Sequence, residues 1–416
     1  MNEVFKNLKF IRVDYVDYGG IIRSKAIEPS DLEDVIKLGI SVPAAMMNFT
    51  TLNTLSVTRM EGYEDVMLFP DQGSLTIYDD QAIMIGDFYT KEGKPWEYDP
   101  RQELRKVLNK TDYQFKTSFE IEFYLLKDGK TIGDSSCYEL KGYYDVMKLL
   151  AEIKDVLKSN GIDVIKSIKE CGPSQYEFNL LPKNPLRIAD EFIIFKEVSK
   201  LVSRKYGFEA NFMPKPFPEV AGSGLHLNFS IWKEGKNITL EEEGMNFLAG
   251  VLHHAKALTL ISAPTINSYK RLNAFKRKIR VPGTWVPTKI IYGYNNRSSI
   301  IRIPQARSKD EERVEFRLPD PSVNPYLLLL AFIIAGLDGI SRQMRPPNPV
   351  NEDVFFDDKF DSVPLTFEEA LREFESSRLR ELLGKVGDQF LSVKKQELED
   401  SLLDVTDWEW KVYRDI

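Results

Sequence analysis

The sequence predicts an α+β protein in two parts, a small N-terminal unit and a larger second one. Three observations predict it. Strand-like and helix-like segments are mixed along the chain without an internal repeat. A polar, proline-bearing connector, Lys91 to Pro100, interrupts the pattern. The 416 residues suffice for two or three domains.

In the first part, residues 8–28 alternate apolar and polar around Gly19-Gly20, which reads as a hairpin with a glycine turn. Ser30 to Leu38 reads as a short helix, with Ser30 and Glu33 spaced as a capping box. Strands are expected at 65–69, 74–78 and 82–89, closing a unit over residues 1–95. The second part, 96–416, opens with a helix at 101–109 and a strand at 118–126. A helix at 143–160 stops at Gly161, strands follow at 164–169 and 176–181, and a helix covers 189–206. Residues 222–232 read as a strand and 241–262 as a helix, followed by a loop-rich stretch to Pro304. A strand at 314–318, a buried helix at 324–343 and a charged helical tail from Thr366 complete the expectation.

Apolar residues make up 43% and charged residues 29%, which is a globular balance. A net charge of −7 gives no electrostatic reason to expect nucleic acid. The two cysteines, Cys137 and Cys171, imply no disulfide framework and no cysteine zinc site. The N-terminus lacks a signal-peptide pattern, and the longest apolar run, 326–337, is too short to span a membrane. A cytoplasmic protein is expected.

Glu120 and Glu122 are the most informative pair. They interrupt the apolar run Ser118-Phe-Glu-Ile-Glu-Phe-Tyr-Leu-Leu126. In a strand they share one face, while Phe119, Ile121 and Phe123 share the other. Adjacent carboxylates away from water repel, so either a proton or a cation must neutralise them. Glu170 and Glu177 flank Gly172-Pro173, a turn that lets them converge. Gly222 and Gly224 precede a strand that puts His226 and Asn228 on one face, whereas His253 and His254 lie in a helix and read as structural. Arg271, Arg297 and Arg302 follow, and Arg313, Glu315 and Arg317 alternate onto one face of a strand. Guanidinium groups in such number beside carboxylates suit an anionic substrate.

Taken in order, these motifs resemble the glutamine synthetase family. The match covers residue 8 onward: Glu-x-Glu-Phe, Gly-Pro-x-Gln-x-Glu, Lys-Pro-Phe-x3-Ala-Gly-Ser-Gly-x-His, Asn-Ser-Tyr-Lys-Arg-Leu, Asn-Arg-x4-Arg-Ile-Pro and Arg-x-Glu-x-Arg-x-Pro-Asp-Pro. The resemblance implies an N-terminal β-grasp-like domain and a catalytic α/β domain with a curved antiparallel sheet. It implies two Mg²⁺ or Mn²⁺ ions, one on Glu122, Glu170 and Glu177, the other on Glu120, His226 and Glu315. It places Arg271 and Gly222 at glutamate, and Arg297 and Arg317 at the transferring phosphoryl group. Arg302, Arg313 and Ser230 fall at ATP. The implied activity is ATP-dependent coupling of a carboxylate to an amine, within a double hexameric ring whose sites lie at subunit seams.

The chain departs from that pattern at the amine. Ammonium-using members carry an aspartate in an Asp-Gly-Ser-Ser segment, but Ser41 to Thr51 has no acidic residue here. Those members also carry a glutamate after Pro-Gly in a flap, where Pro282-Gly283 is followed by Thr284-Trp285. Residues 273–280 read as a basic insertion, and Ala221 stands where many members have asparagine. An amine larger than ammonium is therefore expected, with an ordinary glutamine synthetase using Asp65 or Glu64, or a catalytically silent scaffold, as alternatives.

Overall fold

The computed structural model describes residues 7–56, 64–274 and 286–416. Two sheets organise the chain. The first contains β1 (Phe10–Val16), β2 (Ile22–Ile27), β3 (Ile40–Pro43), β4 (Asp65–Tyr78) and β5 (Gln81–Tyr89), with helix α1 (Leu32–Leu38) between β2 and β3. Its order is β2-β1-β5-β4-β3, and only β1 and β5 run parallel. The hairpin turns as expected, with Asp17 Oδ1 accepting from Ile21 N at 2.9 Å and Gly20 at a φ of 85°. The capping box does not form. A 3₁₀ turn at Pro29–Asp31 puts Asp31 at the N-cap, with no side-chain cap bond. The two strands expected at 65–69 and 74–78 are one, because a register shift between Asp71 and Thr76 absorbs the irregularity.

Helix α2 (Pro100–Lys110) leads into the second sheet, whose order is β13-β14-β15-β11-β6-β9-β8. Its strands are β6 (Gln114–Lys127), β8 (Val164–Lys169), β9 (Gln175–Leu180), β11 (Leu225–Lys233), β13 (Lys289–Tyr294), β14 (Ser299–Ile303) and β15 (Val314–Phe316). Short β7 (Lys130–Thr131) and β10 (Glu209–Asn211) pair with β6, and β12 (Lys236–Asn237) with β11. The sheet is antiparallel as expected, with β13 and β14 the one parallel pair among the described residues.

The helices are α3 (Lys141–Tyr144), α4 (Met147–Ser159), α5 (Pro185–Lys205), α6 (Glu242–His253), α7 (Ala255–Ser262), α8 (Ile266–Leu272), α9 (Pro325–Ser341), α10 (Phe367–Glu375), α11 (Arg378–Leu403) and α12 (Asp407–Tyr413). The expected helix at 143–160 splits into α3 and α4, and that at 241–262 breaks at His254. His254 is buried and its Nε2 lies 3.0 Å from Asp338 on α9, a structural role as read. The stretch expected as loops contains α8, β13 and β14, all too short for a periodic signal.

The inward face of the second sheet carries the aromatic core. Phe119 meets Phe192 and Phe123 meets Phe195 on α5, while Phe229 and Phe316 both meet Phe332 on α9. Helices thus close one face, and the polar face stays open. The two sheets are joined through Arg101, only 2% exposed, which binds Asp71 at 2.7 Å and Asp190 at 2.8 Å and also pairs with Asp87. Such a desolvated network costs several kcal/mol to break by removing one partner. No helix among the described residues is long and apolar enough to cross a membrane. One expectation about the cysteines is corrected: Cys137 and Cys171 form a disulfide. They lie 34 positions apart, so spacing alone did not show it.

Candidate active site

Strand alternation and pairing build the open face. Glu120 and Glu122 point away from the core that holds Phe119, Ile121 and Phe123. In register, His226 of β11 and Asn179 of β9 lie on either side of Glu120, while Glu177 of β9 lies beside Glu122. Asn228 of β11 is opposite Glu315 of β15, which is opposite Arg302 of β14. Five strands therefore deliver their polar side chains to one place with no loop needed to position most of them.

Two clusters result. Donor atoms of Glu120, His226 and Glu315 lie within 4.8 Å of one another, as do those of Glu122, Glu177 and His226. His226 sits between them: Nδ1 is 3.4 Å from Glu120 and 3.7 Å from Glu315, and Nε2 is 3.8 Å from Glu122. Glu170 lines the same cavity but stands outside the second cluster, on the turn after β8.

The electrostatics show what the acidic face lacks. Burial and the charge of Glu122 push Glu170 up to about 7. Burial, Glu120 and Glu122 push Glu177 well above the usual carboxylate range. Glu315 goes the other way: burial opposes ionisation, but Arg317, His226 and Arg302 outweigh it and hold the group at about 2. The Glu122–Glu170–Glu177 side is short of positive charge, and its carboxylate oxygens with the His226 imidazole are donors of the kind that would hold a divalent cation. The residues fit such ions. Asn228 Nδ2 donates to Glu120 at 3.1 Å, and Gly224 N and Gln175 Nε2 donate to Glu122 at 2.8 and 3.2 Å, so outer partners orient the carboxylates.

The cavity measures about 360 Å³. Its lining brings together Glu120, Glu122, Glu170, Glu177, Gly222, His226, Arg271, Arg297, Arg302, Arg313 and Arg317. Arg271, 2% exposed, donates to the carbonyls of Leu318 at 2.8 Å and Arg317 at 3.4 Å, and no ion-pair partner for it occurs among the described residues. The charges of Asp320 and Glu122 act on it without a direct ion pair, and a guanidinium so placed suits an incoming carboxylate. Gly222 and Gly224 are needed for this approach: a Cβ at 222 would lie 2.8 Å from Arg271 Cγ, and at 224 2.9 Å from its NH2. Arg302 and Arg317 both bind Glu315, and the Nε of each is buried with no hydrogen-bond partner among the described residues. Arg297 stands on the turn between β13 and β14, which Asn296 anchors by donating to Val350 O and Glu352 O at 2.7 and 2.9 Å.

Ser230 does not line this cavity. It lines a second one of about 580 Å³, where its hydroxyl accepts from Trp232 Nε1 at 2.9 Å. The two cavities share Glu120, Lys166 and Arg313. Sequence reasoning missed Lys166 and Tyr138, which also line the first cavity. The alternation of β8, which carries Lys166 on the face of the acidic cluster, was the available signal. Ala221 lines it too, and its carbonyl accepts from Tyr124 at 2.7 Å. Within one chain no described residue of 7–95 reaches the cavity; Met47 is buried and Met46 packs against the core. Residues 275–285, which include most of the basic insertion and the Pro282-Gly283-Thr284-Trp285 flap segment, lie outside the described residues.

Comparison with known proteins decides the lineage. The family model for the glutamine synthetase catalytic domain matches residues 97–413. The chain belongs to the glutamine synthetase family. Members of this family are ATP-dependent ligases that use divalent metals. The glutamine synthetase of Methanococcus voltae is 34% identical, over 98% of this chain and 96% of the relative. That of Pyrococcus abyssi is 36% identical, over 95% and 91%. A solved GmaS/ADP complex is 30% identical with a TM-score of 0.88, covering 99% of this chain and 98% of that one, and an apo GmaS structure scores 0.87.

Proposed function

We propose that the protein phosphorylates the γ-carboxylate of glutamate with ATP and transfers the acyl group to an amine larger than ammonium, giving a γ-glutamyl amide. The observation that carries the amine assignment is the Ser41–Thr51 segment. It folds as β3 and a 3₁₀ turn at Ala44–Asn48, its Ala44, Met47 and Thr50 side chains are buried, and it contains no carboxylate of its own. Deprotonating and holding a small cation needs a local negative charge, whereas a substituted amine gains affinity from apolar contact.

In this reading ATP spans the two cavities, its base beside Ser230 and its phosphates toward Arg302 and Arg313. Divalent cations on Glu120, His226 and Glu315, and on Glu122, Glu170 and Glu177, polarise the phosphate oxygens when bound. Arg271 holds the α-carboxylate of glutamate beside Gly222. Arg317 and Arg297 face the γ-carboxylate and stabilise the negative charge that gathers on the transferring group. The acyl phosphate then accepts the amine nitrogen, and phosphate leaves. Among the described residues, none of the N-terminal unit of the same chain lines the cavity, which supports a homo-oligomer in which a neighbouring copy completes the amine site.

A second reading has its own observation. Asp65 is the register partner of Pro43 and accepts a hydrogen bond from Ser41 Oγ at 2.5 Å. It therefore brings a carboxylate beside the segment that lacks one, as an ordinary glutamine synthetase needs. Phosphate release with glutamate, ATP and Mg²⁺ separates the readings. Turnover with polyamines, ethanolamine or aromatic amines above that with ammonium supports the first, and turnover with ammonium alone supports the second.

A further inference from the structure

The disulfide joins the segment between β7 and α4 to the turn that carries Glu170. Each cysteine adjoins a residue that lines the metal cavity: Cys137 precedes Tyr138, and Cys171 follows Glu170. Other bonds bind the same two pieces together. Tyr138 N donates to Lys169 O at 3.0 Å. Lys169 is 3% exposed, and its Nζ donates to Glu170 O at 2.6 Å and Gly172 O at 2.7 Å, closing the turn from within. Gly142 lies against the methylenes of Lys169 so closely that a Cβ there would fall 2.8 Å from them.

Glu170 differs from the other acidic residues of the site in what holds it. Glu120, Glu122, Glu177 and Glu315 lie inside strand ladders, while Glu170 lies past the end of β8, where its N–H donates to Gln175 O at 2.9 Å. Its position depends on that bond and on this clamp. We propose that the Cys137–Cys171 disulfide is a redox-controlled positioning device: intact, it holds Glu170 and Tyr138 against the cavity, and its reduction weakens the cation site of Glu122, Glu170 and Glu177 alone. The proposal rests on the metal reading of the site given above.

The reductant is a dithiol. Its thiolate attacks one sulfur and breaks the S–S bond, and its second thiol attacks the resulting mixed disulfide and releases the remaining cysteine as a thiolate. Two electrons and two protons pass to the protein, leaving two cysteine thiols, and the dithiol departs as a cyclic disulfide.

The test is Mn²⁺ titration of the full-length protein, followed by electron paramagnetic resonance, with thiols counted on the same samples. Protein purified without reductant should show no free thiol and two bound Mn²⁺ per chain. After dithiol treatment and its removal under argon, two thiols should appear. One Mn²⁺ site should weaken about tenfold or more, in the range seen when partners that orient metal ligands are lost, while the other is unchanged. C137S/C171S should match the reduced protein and ignore the dithiol. E170Q should bind weakly at the same site in both redox states, a result that a general stabilising role does not give. Identical Mn²⁺ titrations of oxidised and reduced protein, or two free thiols in the untreated protein, would overturn the proposal. Absence of Mn²⁺ binding in either state would instead overturn the metal reading beneath it.

Discussion

Replacing Glu170 by glutamine should make the metal-free protein more stable at high pH while weakening its hold on metal. Glu170 rises from its ordinary value of 4.5 to about 7 through burial and repulsion from Glu122. The sign follows from linkage: a carboxyl with a raised folded value binds more protons folded than unfolded, so stability is full below about 4.5 and falls as pH climbs through about 7. At 1.36 kcal/mol per pH unit the loss is at most about 3 kcal/mol. In EDTA, urea unfolding should show wild type less stable at pH 8 than at pH 5, and E170Q more stable than wild type at pH 8 by up to about 3 kcal/mol. Mg²⁺ should stabilise wild type at pH 8 far more than E170Q. If E170Q in EDTA is the less stable protein at pH 8, the repulsion argument is wrong.

Three further outcomes are expected. Glu120→Ala and Glu122→Ala should each abolish ADP formation while near-ultraviolet circular dichroism stays native; normal turnover by either variant contradicts the cation assignment. Arg271→Met should raise KM for glutamate by a factor of ten to a hundred, since a charge-assisted bond is worth about 1.5–3 kcal/mol, and should leave ATP affinity unchanged by calorimetry. Lys166→Met should raise KM for ATP but not for glutamate, because Lys166 lies where the two cavities meet; equal effects on both substrates contradict that placement.

The period of the chain made the acidic face readable. Strand alternation alone put Glu120 and Glu122 together, and His226 with Asn228, and the structure adds the register that sets His226 opposite Glu120. What escaped the sequence depends on contacts distant along the chain. Cys137 meets Cys171 only because β6, β8 and the intervening helices fold back. Asp65 reaches Pro43 only through the β3–β4 pairing. Strands β13 and β14 are five or six residues long, and a short apolar run carries no phase by which to tell strand from loop. The Ser30 capping box was locally well formed as a pattern, but Pro29 opens a 3₁₀ turn that shifts the helix start past it.

The central claim is that the acyl group passes to an amine larger than ammonium, and one competition measures it directly. The protein is given glutamate, ATP and Mg²⁺ with ammonium and a set of primary amines at equal concentration, and the products are resolved by mass spectrometry. A γ-glutamyl amide of a substituted amine as the main product is the predicted result. Glutamine as the main product, with the substituted amines untouched, would contradict it and return Asp65 to the role of the missing acid.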